Sequence, residues 1–264
     1  YSIDINDGGT TTAKQTFTEA NTTLTISNSS TLSNALNNMI NINGQSNGTV
    51  IIEAGSKAET TGTKSNTING ASASNLTITN SGTIISASSK AINFTDVETG
   101  SLTNNSGGII KAKTNTISML ENTGTTDDIT INNYGTIFAT DDDDAGTNTI
   151  KSDDDSSNIT INNFKGGHIY QTSSAPVIVV GGSATLTNSG KIENKDGPGQ
   201  RSISMSGSTG ATLNLKDSGI VIGKINISGS GHTIKVNHGI GQSYYYDTEG
   251  SGSYDLEDLD GNVI

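Results

Sequence analysis

The residues here whose types and spacing could do chemistry are mostly aspartates. Asp141, Asp142, Asp143 and Asp144 form one run and Asp153, Asp154 and Asp155 a second, with Asp127 and Asp128 between an earlier pair of apolar segments. Oxygen-rich loops of this kind can ligate Ca²⁺. Their spacing matches neither the EF-hand nor the Gly-Asp nonapeptide repeat. Solvated loop charge that keeps neighbouring molecules apart is therefore the favoured reading, with Ca²⁺ as the alternative, and no other cofactor is implied. Gly44-Gln45-Ser46-Asn47-Gly48 fits the nucleophile-elbow pattern G-x-S-x-G. That elbow needs a strand-to-helix turn with His and acid partners, and no helical pattern follows, so a simple turn is expected. His168, His232 and His238 stand far apart and read as separate polar residues rather than a metal cluster. Arg201 is the one clear arginine that could serve a polysaccharide lyase as its cation, and no carboxylate cluster faces it. No catalytic residue is assigned.

Positioning depends on a repeat. Asn75–Ile84 reads Asn-Leu-Thr-Ile-Thr-Asn-Ser-Gly-Thr-Ile, and variants recur at Asp128–Ile137, Asn158–Ile169, Ala184–Ile192 and, more loosely, Ser101–Ile110. Aligned on the Asn before the turn, the marks are Asn80, Asn105, Asn133, Asn163 and Asn188, with Asp217 in a sixth copy. Successive marks lie 25 to 30 residues apart, a period that signals a solenoid. Each copy alternates apolar residues with Thr, Ser or Asn, the pattern of half-buried strands. Ile outnumbers Leu by 32 to 11, which suits strands better than helices. A second strand follows the Gly, as in Gly82-Thr83-Ile84, and a third is marked by Asn66-Thr67-Ile68, Asn115-Thr116-Ile117 and Asn148-Thr149-Ile150.

Three short parallel strands per turn stack into an all-β, single-stranded parallel β-helix of about nine coils, right-handed because parallel crossovers are. At about 4.8 Å per coil, this makes a rod on the order of 40–45 Å long. Residues 1–20 are expected to cap it, residues 21–240 to form the helix, and residues 241–264 to form a second cap or a junction. Leu32, Ala35, Leu36, Met39 and Ile40 also fit helical spacing, but a short coil keeps the next strand in phase. The Asn column, with inward parity, is read as a structural ladder that bonds its own turn and the next coil.

One outward column follows from the same parity. Ile85, Ile110, Phe138 and Tyr170 each come directly after the inward Ile of a second strand. An exposed apolar stripe can bind a partner, and it can equally strengthen the sheet by mutual stacking. Thr77, Thr79, Thr130, Thr160, Thr185 and Thr187 form other outward columns, for which strand propensity suffices. Glu19-Ala20-Asn21-Thr22-Thr23 is an acidic-extended N-glycosylation sequon.

Composition narrows the function. Net charge is −12, with 14 Lys and Arg against 26 carboxylates, which argues against nucleic acid as a partner. The chain has no Cys, so neither disulfides nor thiolate metal sites staple it. The repeated LTITNSGTI and ITINNYGTI coils, the absence of Cys and the Ser/Thr/Asn/Gly-rich composition resemble the passenger domains of Gram-negative autotransporter adhesins. The stretch Asp217–Ile264 is similar to the region before their membrane translocator. The resemblance implies secretion or display at the surface of a Gram-negative cell. It also implies attachment to a host-cell protein or glycan or to another copy of the chain, with membrane contact only through a translocator absent from this sequence. Proteases of that family carry Gly-Asp-Ser-Gly. Here Lys216-Asp217-Ser218-Gly219 lacks the first Gly, so a non-enzymatic rod is expected, with a polysaccharide-processing β-helix as the rival.

Overall fold

The computed structural model describes the chain except residues 36–37, 64–65, 120–127, 141–145, 153–157, 208–209, 218 and 238–245. It is a parallel β-solenoid. Three sheets of 11, 9 and 10 strands run its length, and successive strands of one sheet come from successive coils. Among the described residues the three sheets share nine strands each, about eight turns from the first second-sheet strand to the last. Among the described residues there is no helix; Thr31–Asn34 and Ile40–Asn41 are strands, so the segment around Met39 is a short coil.

The alternation in the sequence sets which way each side chain points. In the first sheet Val50, Ile78, Leu102, Ile131, Ile161 and Leu186 stack one above another in register, and all are fully buried. Burial of each such side chain contributes roughly 1.5–3 kcal/mol. Because every coil buries little by itself, the fold depends on stacking. Residues 1–20, expected to cover the end of the rod, form its first coil: Ser2–Ile5, Thr10–Thr11 and Gln15–Thr16 each pair with the coil above. Beyond residue 245 the chain also returns to the stack, as Asp247–Glu249 and Tyr254–Asp258 extend the third and first sheets.

The corner between the first and second sheets holds the buried Asn ladder, in a register that differs from the sequence reading at two places. Asn80 lies opposite Asn104, and Asn104 opposite Asn133; Asn105 sits one residue outside, half-buried and bonded to Ser81 Oγ at 2.8 Å. In the sixth copy Leu215, not Asp217, lies opposite Asn188. The cause is that two turn lengths alternate. After Asn80, Asn133 and Asn188 the chain needs one residue and a Gly to reach the next strand; after Asn104 and Asn163 it needs two residues and Gly-Gly. The first Gly of each long turn, Gly107 or Gly166, has φ of +82° or +91°, in the left-handed region that favours glycine. Short turns nest on long ones: a Cβ on Gly135 would lie 2.6 Å from the Asn105 carbonyl oxygen.

Within the ladder each amide nitrogen donates to the next amide oxygen, from Asn80 through Asn104, Asn133 and Asn163 to Asn188, at 2.8–2.9 Å. The ladder ends at Ile52 on one side, which leaves Asn80 Oδ1 buried without a partner. Other corners carry ladders that the sequence reading missed: Asn93–Asn69–Asn41 in the third sheet and Asn75–Asn47–Asn21 before the first.

Candidate binding face

The third-strand motif Asn-Thr-Ile explains how one lateral face is held. Thr67, Thr116 and Thr149 are buried, and their hydroxyls donate to the carbonyls of Ile85, Phe138 and Tyr170 at 2.6, 2.8 and 2.7 Å. Each bond ties a third-sheet corner to an outward residue of the second sheet one coil along. The outward file of that sheet runs Glu59, Ile85, Lys111, Phe138, Tyr170, Glu193 and Ile222. Ile110, expected in this file, is fully buried opposite Ile84 and Ile137, and Lys111 takes its place. The long turn is two residues longer than the short one, so a count that starts at Asn105 rather than Asn104 misplaces the strand by one residue and reverses inward and outward. Ile109, whose side chain is 39% exposed, faces out instead.

Phe138 and Tyr170 stack face to face with ring centroids 4.7 Å apart and planes 11° from parallel. Lys111 Nζ lies 5.6 Å from the Phe138 centroid and Lys195 Nζ 3.5 Å from that of Tyr170. Both outer ring faces are therefore covered by ammonium groups, an arrangement the ring quadrupole favours. What the pair presents outward is ring edges, flanked by charge. Tyr134 and Phe164, each directly after a ladder Asn, make a second stack with centroids 4.3 Å apart. The aromatic residue in that place of two consecutive copies was the available sequence signal.

Beside Tyr170 lies a charged cluster. His168 Nε2 is 3.0 Å and Lys191 Nζ 2.8 Å from Glu193 Oε2. Burial pulls the His168 pKa below its ordinary value, aided by Lys191 and Lys195 and opposed by Glu193. For Glu193 burial alone would raise the pKa, but the bonds and charges of Lys191 and His168 outweigh it and the net shift is downward. The Tyr170 hydroxyl is pushed up by burial and by Glu193. A depression lined by Glu59, Ile85, Lys111, Lys113 and Thr140 flanks the aromatic pair on one side, and one lined by Lys165, His168, Lys191, Asp217 and Ile220 on the other.

The remaining candidates fall elsewhere. Asp127, Asp141–Asp144, Asp153–Asp155, His238 and Ser218 lie outside the described residues. Among the described residues no three His, Cys, Asp or Glu side chains converge as a metal site. The Ser46 hydroxyl accepts a hydrogen bond from Ser74 Oγ at 2.9 Å rather than facing a histidine. His232 is buried, with Nδ1 accepting from the Ala211 N–H and Nε2 3.0 Å from the Ser228 carbonyl. Arg201 pairs with Glu249, which Lys224 also reaches. The threonines of the first sheet are in register, and Asn162 donates to Asn132 at 3.0 Å. Comparison with protein-family models, curated proteins and solved structures found no match.

Proposed function

We propose that this chain is a non-enzymatic, surface-displayed or secreted rod, a right-handed passenger of the autotransporter kind, that attaches laterally to a protein or glycan on another cell. The observation that carries the reading is the outward file of the second sheet. Apolar and cationic side chains occupy successive coils from Ile85 to Tyr170, supported from behind by the buried Thr67, Thr116 and Thr149 hydroxyls. A stiff backbone under an exposed strip fixes the strip's geometry before binding, which lowers the ordering cost of association.

The test is cell or glycan attachment by the Phe138→Ser/Tyr170→Ser double variant. Interface anchors commonly cost about 2 kcal/mol or more on truncation, so attachment should weaken at least about tenfold while the β-sheet circular dichroism persists. Unchanged attachment would reject this face. Release of oligosaccharides from acidic polysaccharides by the native chain would instead support the enzymatic rival.

A further inference from the structure

The charges of this chain are not spread evenly. Net charge is −12, yet several lysines without a carboxylate partner share the second-sheet face. Lys57, Lys191, Lys224, Lys235 and Arg201 each reach a glutamate. Lys111, Lys113, Lys165 and Lys195 reach none among the described residues. Lys111 stands in the outward file itself. Lys113 and Lys195 each follow the last residue of a second-sheet strand, and Lys165 lies in the long turn that enters one. The last three are exposed.

These cations form two groups along the rod. Lys111 and Lys113 border one depression. Lys165 borders the other with His168 and Lys191, and Lys195 lies over the Tyr170 ring. From Lys111 the file climbs through Phe138 and Tyr170 to Glu193, three ladder steps, so the groups stand roughly 14 Å apart. Between them Phe138 and Tyr170 present ring edges, the positive rim of an aromatic quadrupole. The ring faces, which a neutral sugar needs for stacking, are taken up by one another and by the two ammonium groups. The strip is thus positive at both ends and weakly positive in the middle. Glu59, Glu193 and Asp217 interrupt it, which suits a ligand of sparse charge.

We propose that this strip docks a linear polysaccharide in which carboxylated rings alternate with uncharged ones. The polymer lies along the rod axis, its carboxylates at the two lysine groups and an uncharged ring over the aromatic edges. The inference rests on the lateral-attachment reading above and names the ligand class of the same face. Strand N–H and C=O groups under the strip are already paired with neighbouring strands, so an extended acidic peptide finds no main-chain partners, its usual source of affinity. Duplex nucleic acid carries one charge per about 1.7 Å and meets three carboxylates within the strip and a net charge of −12 around it.

The experiment measures binding of the folded chain to immobilised hyaluronan, in which a uronate alternates with a neutral ring, and to its methyl ester, heparin and polyglutamate in one buffer. Hyaluronan should bind, the ester should not, and heparin and polyglutamate should bind more weakly. Raised salt should weaken hyaluronan binding, since exposed charges are screened. Lys111→Gln/Lys113→Gln/Lys165→Gln/Lys195→Gln should weaken it at least about tenfold, as exposed ion pairs are lost together. Lys111 and Lys195 also cover the rings, so the Lys113→Gln/Lys165→Gln variant, which touches neither ring, should by itself cost about threefold. Lys14→Gln/Lys235→Gln makes the same change in net charge as that double variant, on the first coil and the first sheet, and should leave binding unchanged. Circular dichroism should be the same for all. The proposal is overturned if hyaluronan does not bind, if the ester binds equally, if heparin or polyglutamate binds more tightly, or if the Lys113→Gln/Lys165→Gln variant binds as the native chain does. If hyaluronan fails while Phe138→Ser/Tyr170→Ser still weakens cell attachment, the ligand class falls and the lateral face stands. Cell attachment untouched by Phe138→Ser/Tyr170→Ser removes the face itself.

Discussion

Breaking the buried Asn ladder in its middle should cost far more than shortening it at its end. Asn133 accepts from Asn104 at 2.8 Å and from the Gly135 N–H at 3.2 Å, and it donates to Asn163 Oδ1 at 2.9 Å. Asn133→Leu removes two ladder bonds, about 1 kcal/mol each, and leaves Asn163 Oδ1 and the Gly135 N–H buried without partners, at about 1–3 kcal/mol apiece. The loss is about 4 kcal/mol at its lower end. Asn80→Leu removes one ladder bond, and the unpaired acceptor that already exists at Asn80 Oδ1 moves to Asn104 Oδ1. The number of unpaired groups does not rise, so the loss is about 1 kcal/mol. Leucine adds similar apolar surface in both variants, and Ile52 and Leu215 already occupy the column, so this gain cancels in the comparison. The difference of about 3 kcal/mol should appear as a gap of about 1 M or more between the two urea midpoints, followed by circular dichroism. Equal midpoints, or a lower one for Asn80→Leu, would refute the argument that unpaired groups rather than bond counts set the cost.

Gly135→Ala should destabilise strongly, since its Cβ meets the Asn105 carbonyl at 2.6 Å; Gly107→Ala meets nothing and should cost only the left-handed backbone penalty of about 1–2 kcal/mol, a ranking thermal melts can check. Thr149→Val keeps the shape but removes the bond to the Tyr170 carbonyl, so a loss of about 1–2 kcal/mol is expected, with faster amide hydrogen exchange near Tyr170. Acidification should weaken the rod in two stages. The His168 pKa is lower folded than unfolded, so its stabilisation is complete above the ordinary histidine value and is lost as pH falls toward the folded value. Glu193, also lowered, loses its contribution at still lower pH, through the carboxylate range. Stability against pH for His168→Gln should lack the first stage and for Glu193→Gln the second.

The strands were legible because alternation and β-branched residues act locally, and the coil count was nearly so. Registers failed where a turn lengthens by two residues. Asn104-Asn105 offers two asparagines to one ladder position, and only the Gly-Gly of the long turn, shared with Gly166-Gly167, shows which is used. The same slip put Ile110 outside and kept Lys111 out of the binding file. The aromatic stripe was visible as residues but not as geometry. That Phe138 and Tyr170 would spend their faces on each other and on Lys111 and Lys195 depends on side chains one coil away, at spacings the loops conceal. The threonine hydroxyls of the third strand bridge 18 to 22 residues, so nothing local in Asn-Thr-Ile announces their partner.

The ladders run in opposite senses along the rod. Amide donors at the buried corner point toward the carboxyl end, from Asn80 to Asn188. Those of Asn93–Asn69–Asn41 and Asn75–Asn47–Asn21 point toward the amino end. Aligned amides in one file would add their dipoles with every coil, as a helix adds its peptide dipoles, while sheet backbones contribute little because theirs alternate. The opposed files occupy different lengths of the rod, one set up to Asn93 and the other from Asn80 onward. Each half therefore carries its own aligned amides, with donors pointing to the nearer end, and the two halves offset one another only when summed along the whole axis.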